Sequence, residues 1–355
     1  MIIAILELYE TYQGEDISGL TNGRCIDVIK LEFLDRFERN NEEQFSHDLS
    51  FEGILKDPQS SQQFSALFLN FKEKNIDEIR NLDNGDNLWV CFAPLCTSHN
   101  FPPYKHFLER FSQFTNMSTI AIDIRGLEET SRLSIAQSLD LVRGKGFDKV
   151  LEPIFSALHS MNARNVNLYG YSMGGRLAGA SIIPAKGQDI SIEKMVLVEP
   201  AGVNKLEHIF GVLSLLNEAR FLDFYNKYIF DPKQRSAMKL DLPLYKRLPY
   251  LLGEYLKPFN YRFEHLALFA ASLQEATLKR ELIQSLSHSR GISINILNGD
   301  KSKIAQSPDI STLLESIEGI GVANQHKIRW IKLEGDTHIV GLDTERLISS
   351  FRYLI

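Results

Sequence analysis

A short apolar run leads into a glycine-rich turn in Val166-Asn167-Leu168-Tyr169-Gly170-Tyr171-Ser172-Met173-Gly174-Gly175. The pattern Gly-x-Ser-x-Gly, from Gly170 to Gly174, is typical of a strand that turns sharply into a helix and presents the serine hydroxyl at the bend. A Cβ atom at either glycine would clash in so tight a turn. The first turn of the following helix has unpaired amides, so we expect the Met173 N–H to stabilise negative charge that develops beside Ser172.

On both sides of this turn, short apolar runs alternate with helical patterns, which is typical of βαβ units around a parallel sheet. The predicted strands of this core are 88–93, 119–124, 166–169, 195–198, 292–297 and 328–333, and the predicted helices are 104–114, 147–162, 174–183 and 344–353. The sequence therefore predicts an α/β fold with a doubly wound, mostly parallel sheet.

The strand pattern stops after Pro200, where helical patterns rich in aromatic residues replace it. Residues 202–287 are therefore predicted to form a helical cap inserted into a core of residues 83–201 and 288–355. A cap of this kind would give a substrate channel with apolar, aromatic walls, which favours a substrate with an apolar acyl, alkyl or aryl group.

The first part of the chain, residues 1–82, contains apolar runs at 2–8, 26–33 and 66–71, each of the length of a strand. Polar stretches between them are suited to exposed turns. We expect this part to be an N-terminal extension of antiparallel strands that packs on the core.

Composition and charge exclude several classes of function. The 355 residues include 39 Lys and Arg against 45 Asp and Glu, a net charge of −6, so a nucleic-acid partner is not expected. Three cysteines argue against a disulfide framework and favour a reducing compartment.

The apolar start lacks the basic flank of a signal peptide, and no run has the ~18 apolar residues of a membrane span. We predict a cytoplasmic protein without an integral membrane segment, and, since no metal-ligand cluster or phosphate-binding loop occurs, no metal or cofactor.

A serine nucleophile needs a base, and His338 is the best placed of the nine histidines. It lies in the polar loop after the last predicted strand, so the loop can carry its imidazole to the carboxyl edge of the sheet, where Ser172 lies. Two other side chains, those of His99 after the first core strand and Tyr171 beside the serine, are expected to contact substrate.

Three motifs together resemble the α/β-hydrolase fold family: Asp123-Ile124-Arg125-Gly126 after a strand, the turn around Ser172, and the late His338. The resemblance implies a Ser-His-acid triad in the chain order Ser, acid, His, and a cap after the sixth strand. The activity it implies is that of a serine esterase, lipase or thioesterase, which passes through an acyl-enzyme on the serine. An acyltransferase would use the same serine.

The acid of the triad departs from the family pattern. Many members place it at the end of a Gly-x-x-Asp turn after the penultimate strand, but here that turn reads Gly299-Asp300-Lys301-Ser302 and ends on Ser302. Asp300, two residues earlier, is our first choice, because a carboxylate must come within hydrogen-bond distance of the histidine. Glu199, at the end of the preceding strand, is the alternative acid, and Asp309 is the third candidate.

The second oxyanion donor departs from the pattern as well. The family often has a His-Gly pair after its third strand, whereas this chain reads Phe92-Ala93-Pro94-Leu95-Cys96. Pro94 has no amide hydrogen, so the donor would be the N–H of Leu95 or of Cys96, and we choose Leu95. Both departures leave open a second class of function, a catalytically inactive protein that uses the fold for binding or scaffolding.

Overall fold

The structure is a computed structural model of the chain. It describes residues 26–31, 50–72, 88–94, 97–123, 130–143, 147–203, 277–321 and 323–354, together with isolated residues between these ranges. The strand predicted at 2–8 and most of the cap predicted at 202–287 lie outside the described residues.

The strands of the described part of the chain form one nine-stranded sheet. They are β1 (Ile26–Leu31), β2 (Ser50–Lys56), β3 (Gln63–Leu69), β4 (Leu88–Phe92), β5 (Thr119–Ile122), β6 (Asn165–Tyr171), β7 (Ser191–Val198), β8 (Ser293–Gly299) and β9 (Lys327–Leu333). Their order across the sheet is β1-β9-β8-β7-β6-β4-β5-β3-β2. All neighbours from β1 to β5 in this order are parallel, whereas β3 is antiparallel to both β5 and β2.

Helices cover both faces of the sheet. They are α1 (Pro102–Thr115), α2 (Ile135–Val142), α3 (Phe147–Ser160), α4 (Met173–Ala180), α5 (Ile182–Lys186), α6 (Thr277–Leu286), α7 (Ser307–Gly319) and α8 (Thr344–Phe351). Apolar residues of α1 and α8 pack on one face, and those of α3, α4, α6 and α7 pack on the other. The predicted α/β class, with a doubly wound and mostly parallel sheet, is confirmed.

The central strands are buried on both faces, which explains why they read as solid apolar runs. Every residue of β4 and β5 is buried. Beneath α1 and α8, the rings of Trp89, Phe111, Tyr169 and Phe351 pack against one another with centroids 4.9 to 6.0 Å apart. Burial of each large apolar side chain stabilises the fold by about 1.5–3 kcal/mol.

The N-terminal strands differ in part from the expected antiparallel extension. The hairpin of β2 and β3 is antiparallel and lies at one edge of the sheet, but β1 lies at the opposite edge and runs parallel to β9. Ile26 and Val28 of β1 pack into the same core as Ile328 and Trp330 of β9. The pairing of β1 therefore depends on apolar contacts with a segment about 300 residues away in the chain, and such contacts leave no local signal.

A buried ion pair joins the helix after Ser172 to α6, the helix at the end of the predicted cap. Arg176 in α4 is fully buried, and its guanidinium pairs in bidentate fashion with the Glu281 carboxylate of α6, with one N–O distance of 2.7 Å. The guanidinium also lies over the Phe147 ring, 4.4 Å from its centroid. Beside this pair, the Leu278 N–H donates to the Gly202 carbonyl at 3.1 Å, so the two ends of the predicted insertion are held together.

We expect Glu281→Ala to lower the free energy of unfolding by about 3–5 kcal/mol, because it leaves the Arg176 guanidinium buried without its partner. Urea unfolding measures the change. The double variant Arg176→Met, Glu281→Met is the control, and it should lose less stability than the single variant, since it leaves no unpaired charge. Equal stability of wild type and Glu281→Ala would contradict the importance of this pair.

Among the described residues, no helix combines the length and the apolar character needed to cross a membrane.

Candidate active site

The sharp turn between β6 and α4 holds Ser172 in a strained backbone conformation, with φ at 56° and ψ at −116°. A Cβ atom on Gly170 would overlap the Gly174 carbonyl, and one on Gly174 would overlap the Phe92 carbonyl at the end of β4. These contacts explain the two glycines of the motif. The turn is also tied to β7, because the Ser172 N–H donates to the Val198 carbonyl at 2.9 Å.

The imidazole of His338 lies between Ser172 and a carboxylate. It follows β9 and opens a 3₁₀ turn, His338–Leu342, and it is 5% exposed. Its Nε2 is 3.1 Å from Ser172 Oγ, and its Nδ1 is 3.3 Å from Glu199 Oε2. The structure thus brings together the predicted serine and the predicted histidine.

Glu199 directly follows β7, and its side chain is fully buried. Its backbone is in the left-handed region, with φ at 48°, which is uncommon for a residue other than glycine. Its Oε1 accepts the Gly299 N–H at 2.5 Å, and its Oε2 accepts the Ser302 hydroxyl at 2.6 Å. Because the strands are parallel, the ends of β6, β7 and β9 meet at one edge and place the serine, the carboxylate and the histidine side by side.

No protein-family model matches the sequence, and no curated protein does either. Solved structures match most of the chain. A 2-hydroxy-6-oxo-6-phenylhexa-2,4-dienoate hydrolase from a Rhodococcus strain covers 86% of this chain and 97% of its own, with 13% identity and a TM-score of 0.54. A bacterial membrane phospholipase A covers 86% of this chain and 85% of its own, with 13% identity and a TM-score of 0.52. An alpha/beta hydrolase from a Medee basin deep-sea metagenome matches over 82% and 95%, also with 13% identity and a TM-score of 0.52. The protein has the α/β-hydrolase fold.

Within this α/β-hydrolase fold, the carboxylate beside the histidine is Glu199, the alternative acid, and not Asp300, the first choice from the sequence. Asp300 Oδ1 instead accepts the Gly335 N–H at 2.8 Å. Asp300 thus braces the loop that leads to the histidine. Asp309, the third candidate, lies in the first turn of α7, where the helix dipole favours a carboxylate.

The side chain of Tyr171 contacts the histidine loop, which differs from the substrate contact expected from the sequence. It is buried, its hydroxyl donates to the His338 carbonyl at 2.8 Å, and the two rings lie 5.4 Å apart. A Cβ atom on Gly341 would overlap the Tyr171 ring, so the 3₁₀ turn is fitted closely around it. We infer that the tyrosine holds the backbone of the catalytic histidine candidate in place.

We expect Tyr171→Phe to lower the free energy of unfolding by about 1–3 kcal/mol, because the buried His338 carbonyl loses its side-chain donor. The same loss should loosen the loop that holds the histidine beside Ser172. Tyr169→Phe is the matched control, since the Tyr169 hydroxyl is buried with no hydrogen-bond partner among the described residues. Chemical denaturation of the two variants measures the difference. Equal effects in both would show that the hydrogen bond to the histidine loop has no special importance.

His99 is buried, at 1% exposed, and contacts the carboxylate at the end of β5. Its backbone N–H donates to Asp123 Oδ1 at 2.7 Å, and its Nδ1 lies 3.0 Å from Oδ2. The pair ties the loop after β4 to the neighbouring strand. His99 therefore has a structural contact in place of the substrate contact expected from the sequence.

Of the two expected oxyanion donors, one lies in the described part of the chain. Met173 is the first residue of α4, where the amides have no carbonyl partner within the helix. Leu95 lies outside the described residues. Of the described residues next to it in the chain, Thr97 donates both its N–H and its hydroxyl to the Pro94 carbonyl, at 3.3 and 2.9 Å.

The loop that carries His338 is anchored by a buried carboxylate. Asp336 Oδ2 accepts the Nε–H of Arg346 in α8 at 3.0 Å, and the Asp336 carbonyl accepts the Lys301 N–H at 3.0 Å. Burial raises the pKa of Asp336 to about 7, while the Arg346 guanidinium acts in the opposite direction. The ion pair links the histidine loop to α8, and the carbonyl contact links it to the turn after β8.

Proposed function

We propose that the protein is a serine hydrolase that acts on an ester or thioester with an apolar acyl, alkyl or aryl group. The observation that carries the proposal is the hydrogen-bonded series Ser172 Oγ, His338 and Glu199, with separations of 3.1 and 3.3 Å, on a Gly-x-Ser-x-Gly turn. The solved neighbours named above include a phospholipase and a dienoate hydrolase, which supports hydrolysis in general.

The partners of the imidazole decide its tautomer. The Glu199 carboxylate accepts hydrogen bonds, so His338 Nδ1 carries the hydrogen and Nε2 has its lone pair free to face the serine hydroxyl. Nε2 can then take the hydroxyl proton when Ser172 attacks. The buried carboxylate stabilises the imidazolium that results.

The reaction proceeds in two halves. Ser172 Oγ bonds to the carbonyl carbon while its proton moves to His338 Nε2, and the oxyanion that forms accepts the Met173 N–H and the predicted Leu95 N–H. When this tetrahedral intermediate collapses, the bond to the leaving alcohol or thiol breaks, and the leaving group takes the proton from the imidazolium. In the second half, a water molecule attacks the acyl-enzyme while His338 removes its proton. His338 then returns this proton to Ser172 Oγ, which releases the acid product and restores the serine.

The proposed preference for an apolar substrate is inferred from the aromatic residues that are predicted to form the cap. Most of these residues lie outside the described part of the chain. We retain the cytoplasm as the proposed location on the basis of the cysteine content, and Cys91, a free and buried thiol, is consistent with a reducing compartment.

Hydrolysis of p-nitrophenyl acetate, butyrate, octanoate and palmitate by the purified protein tests the proposal. We expect saturable turnover with an optimum at one chain length, which reports the size of the acyl site. If the folded protein does not hydrolyse any of the four esters faster than buffer alone does, the result would support the binding or scaffolding function. If an added alcohol receives the acyl group in preference to water, the protein is an acyltransferase.

A further inference from the structure

The hydroxyl of Ser302 makes three hydrogen bonds in the turn after β8. It donates to Glu199 Oε2 at 2.6 Å, and its oxygen accepts the backbone N–H groups of Ile304 and Ala305, each at 3.2 Å. The side chain is 3% exposed. A hydroxyl has one hydrogen and two lone pairs, so the two amides occupy both acceptor positions and direct the hydrogen at the carboxylate.

We propose that Ser302 is a positioning residue, which orients the Glu199 carboxylate for His338. A glutamate side chain has one more rotatable bond than an aspartate, and rotation of its carboxylate would move Oε2 away from the imidazole. The Gly299 N–H holds one carboxylate oxygen and the Ser302 hydroxyl holds the other. These two donors fix the carboxylate plane without help from the histidine.

A fixed carboxylate matters because the imidazolium forms only during the reaction. An oxygen that already points at Nδ1 stabilises the new charge at once, whereas a rotating carboxylate must first be oriented. Ser302 therefore acts through Glu199 and does not touch the reacting atoms. This role rests on the proposed function, and it predicts a loss in turnover with little change in substrate binding.

The test compares Ser302→Ala with Ser307→Ala in the full chain. Ser307 is the matched control, because its hydroxyl oxygen also accepts a hydrogen bond in this segment, from Asn298 Nδ2 at 3.1 Å, without contacting Glu199. A fluorophosphonate titration run to its end point counts the competent sites, and kcat is then expressed per site. We expect Ser302→Ala to lower kcat per site about ten- to a hundredfold, the effect of a lost hydrogen bond to a charged group, with KM within about threefold. A merely structural role would lower the number of sites and leave kcat per site unchanged.

A second readout does not require turnover. The proton on His338 Nδ1, hydrogen-bonded to a carboxylate, should give a far-downfield proton resonance, which is assigned by its loss in Glu199→Gln. We expect this resonance to broaden or shift in Ser302→Ala and to stay unchanged in Ser307→Ala. If this pattern appears in a protein that hydrolyses no ester, the role of Ser302 stands and the proposed function fails. The proposal is overturned if the wild type lacks the resonance, or if Ser302→Ala keeps both the resonance and the wild-type kcat per site.

Discussion

Ser172→Ala is expected to lower kcat for p-nitrophenyl esters by at least about 10⁴-fold, because the acyl-enzyme of the proposed reaction forms on this hydroxyl. The hydroxyl lies 3.1 Å from His338 Nε2 at the strained turn, so the nucleophile and its base already face each other. Stability should change little, since the turn itself depends on the glycines and on backbone contacts with β7. Steady-state kinetics with an unfolding curve for each variant measure both effects.

The control for this prediction compares Ser172→Ala and His338→Ala with the double variant that carries both changes. His338→Ala should reduce kcat by a similar factor, and the double variant should be no slower than the worse of the two, because the residues of a triad act as one unit. Independent, multiplicative losses, or a Ser172→Ala protein with wild-type turnover, would contradict the assignment of Ser172 as nucleophile.

Glu199→Gln is expected to lower kcat by about 10³- to 10⁴-fold, because an amide can donate to His338 Nδ1 and so favour the wrong tautomer of the ring. The imidazolium also loses its negative partner. Asp300→Asn is the matched variant. It keeps an oxygen to accept the Gly335 N–H, so we expect less than about tenfold loss of kcat and a change in stability within about 1 kcal/mol.

The pair of variants decides between Asp300 and Glu199, the first two of the three acids that the sequence left open. A large loss in Asp300→Asn together with a small loss in Glu199→Gln would restore the first choice from the sequence. The comparison is informative because both are single carboxylate-to-amide changes, at strand ends of the same sheet edge.

The serine and the histidine could be predicted because their signals are local or follow chain order. The Gly-x-Ser-x-Gly turn needs small residues within five positions, and His338 lies in the loop after the last strand. The choice of acid depends on tertiary structure. Glu199 reaches the histidine because its backbone takes a left-handed conformation at the end of β7 and the turn after β8 supplies donors for its carboxylate.

A signal for this acid was nevertheless present in the sequence. Glu199 is a charged residue at the carboxyl end of a solid apolar strand and directly before a proline, where a buried charge needs a partner. Ser302 stands where the family pattern has the acid, and in the structure it is hydrogen-bonded to the carboxylate that lies beside the histidine.

The fold of the core could be predicted and the placement of the N-terminal strands could not. The central strands β4 and β5 are buried throughout, and β6, β8 and the second half of β7 are almost entirely buried, so their apolar runs are easy to recognise. β2 alternates between exposed and partly buried residues at an edge, and β1 pairs with a strand from the far end of the chain. Edge pairing of this kind depends on long-range contacts, which a local pattern does not contain.

The most direct test of the central claim is the mass of the intact protein after treatment with a fluorophosphonate, followed by mapping of the modified peptide. An activated serine displaces fluoride and forms an Oγ–phosphorus bond, which adds one probe per chain. We predict one adduct, on Ser172, which is absent from Ser172→Ala and strongly reduced in His338→Ala. A folded wild-type protein that gains no mass, or one that is labelled on another residue, would contradict the claim that Ser172 is the nucleophile of a serine hydrolase.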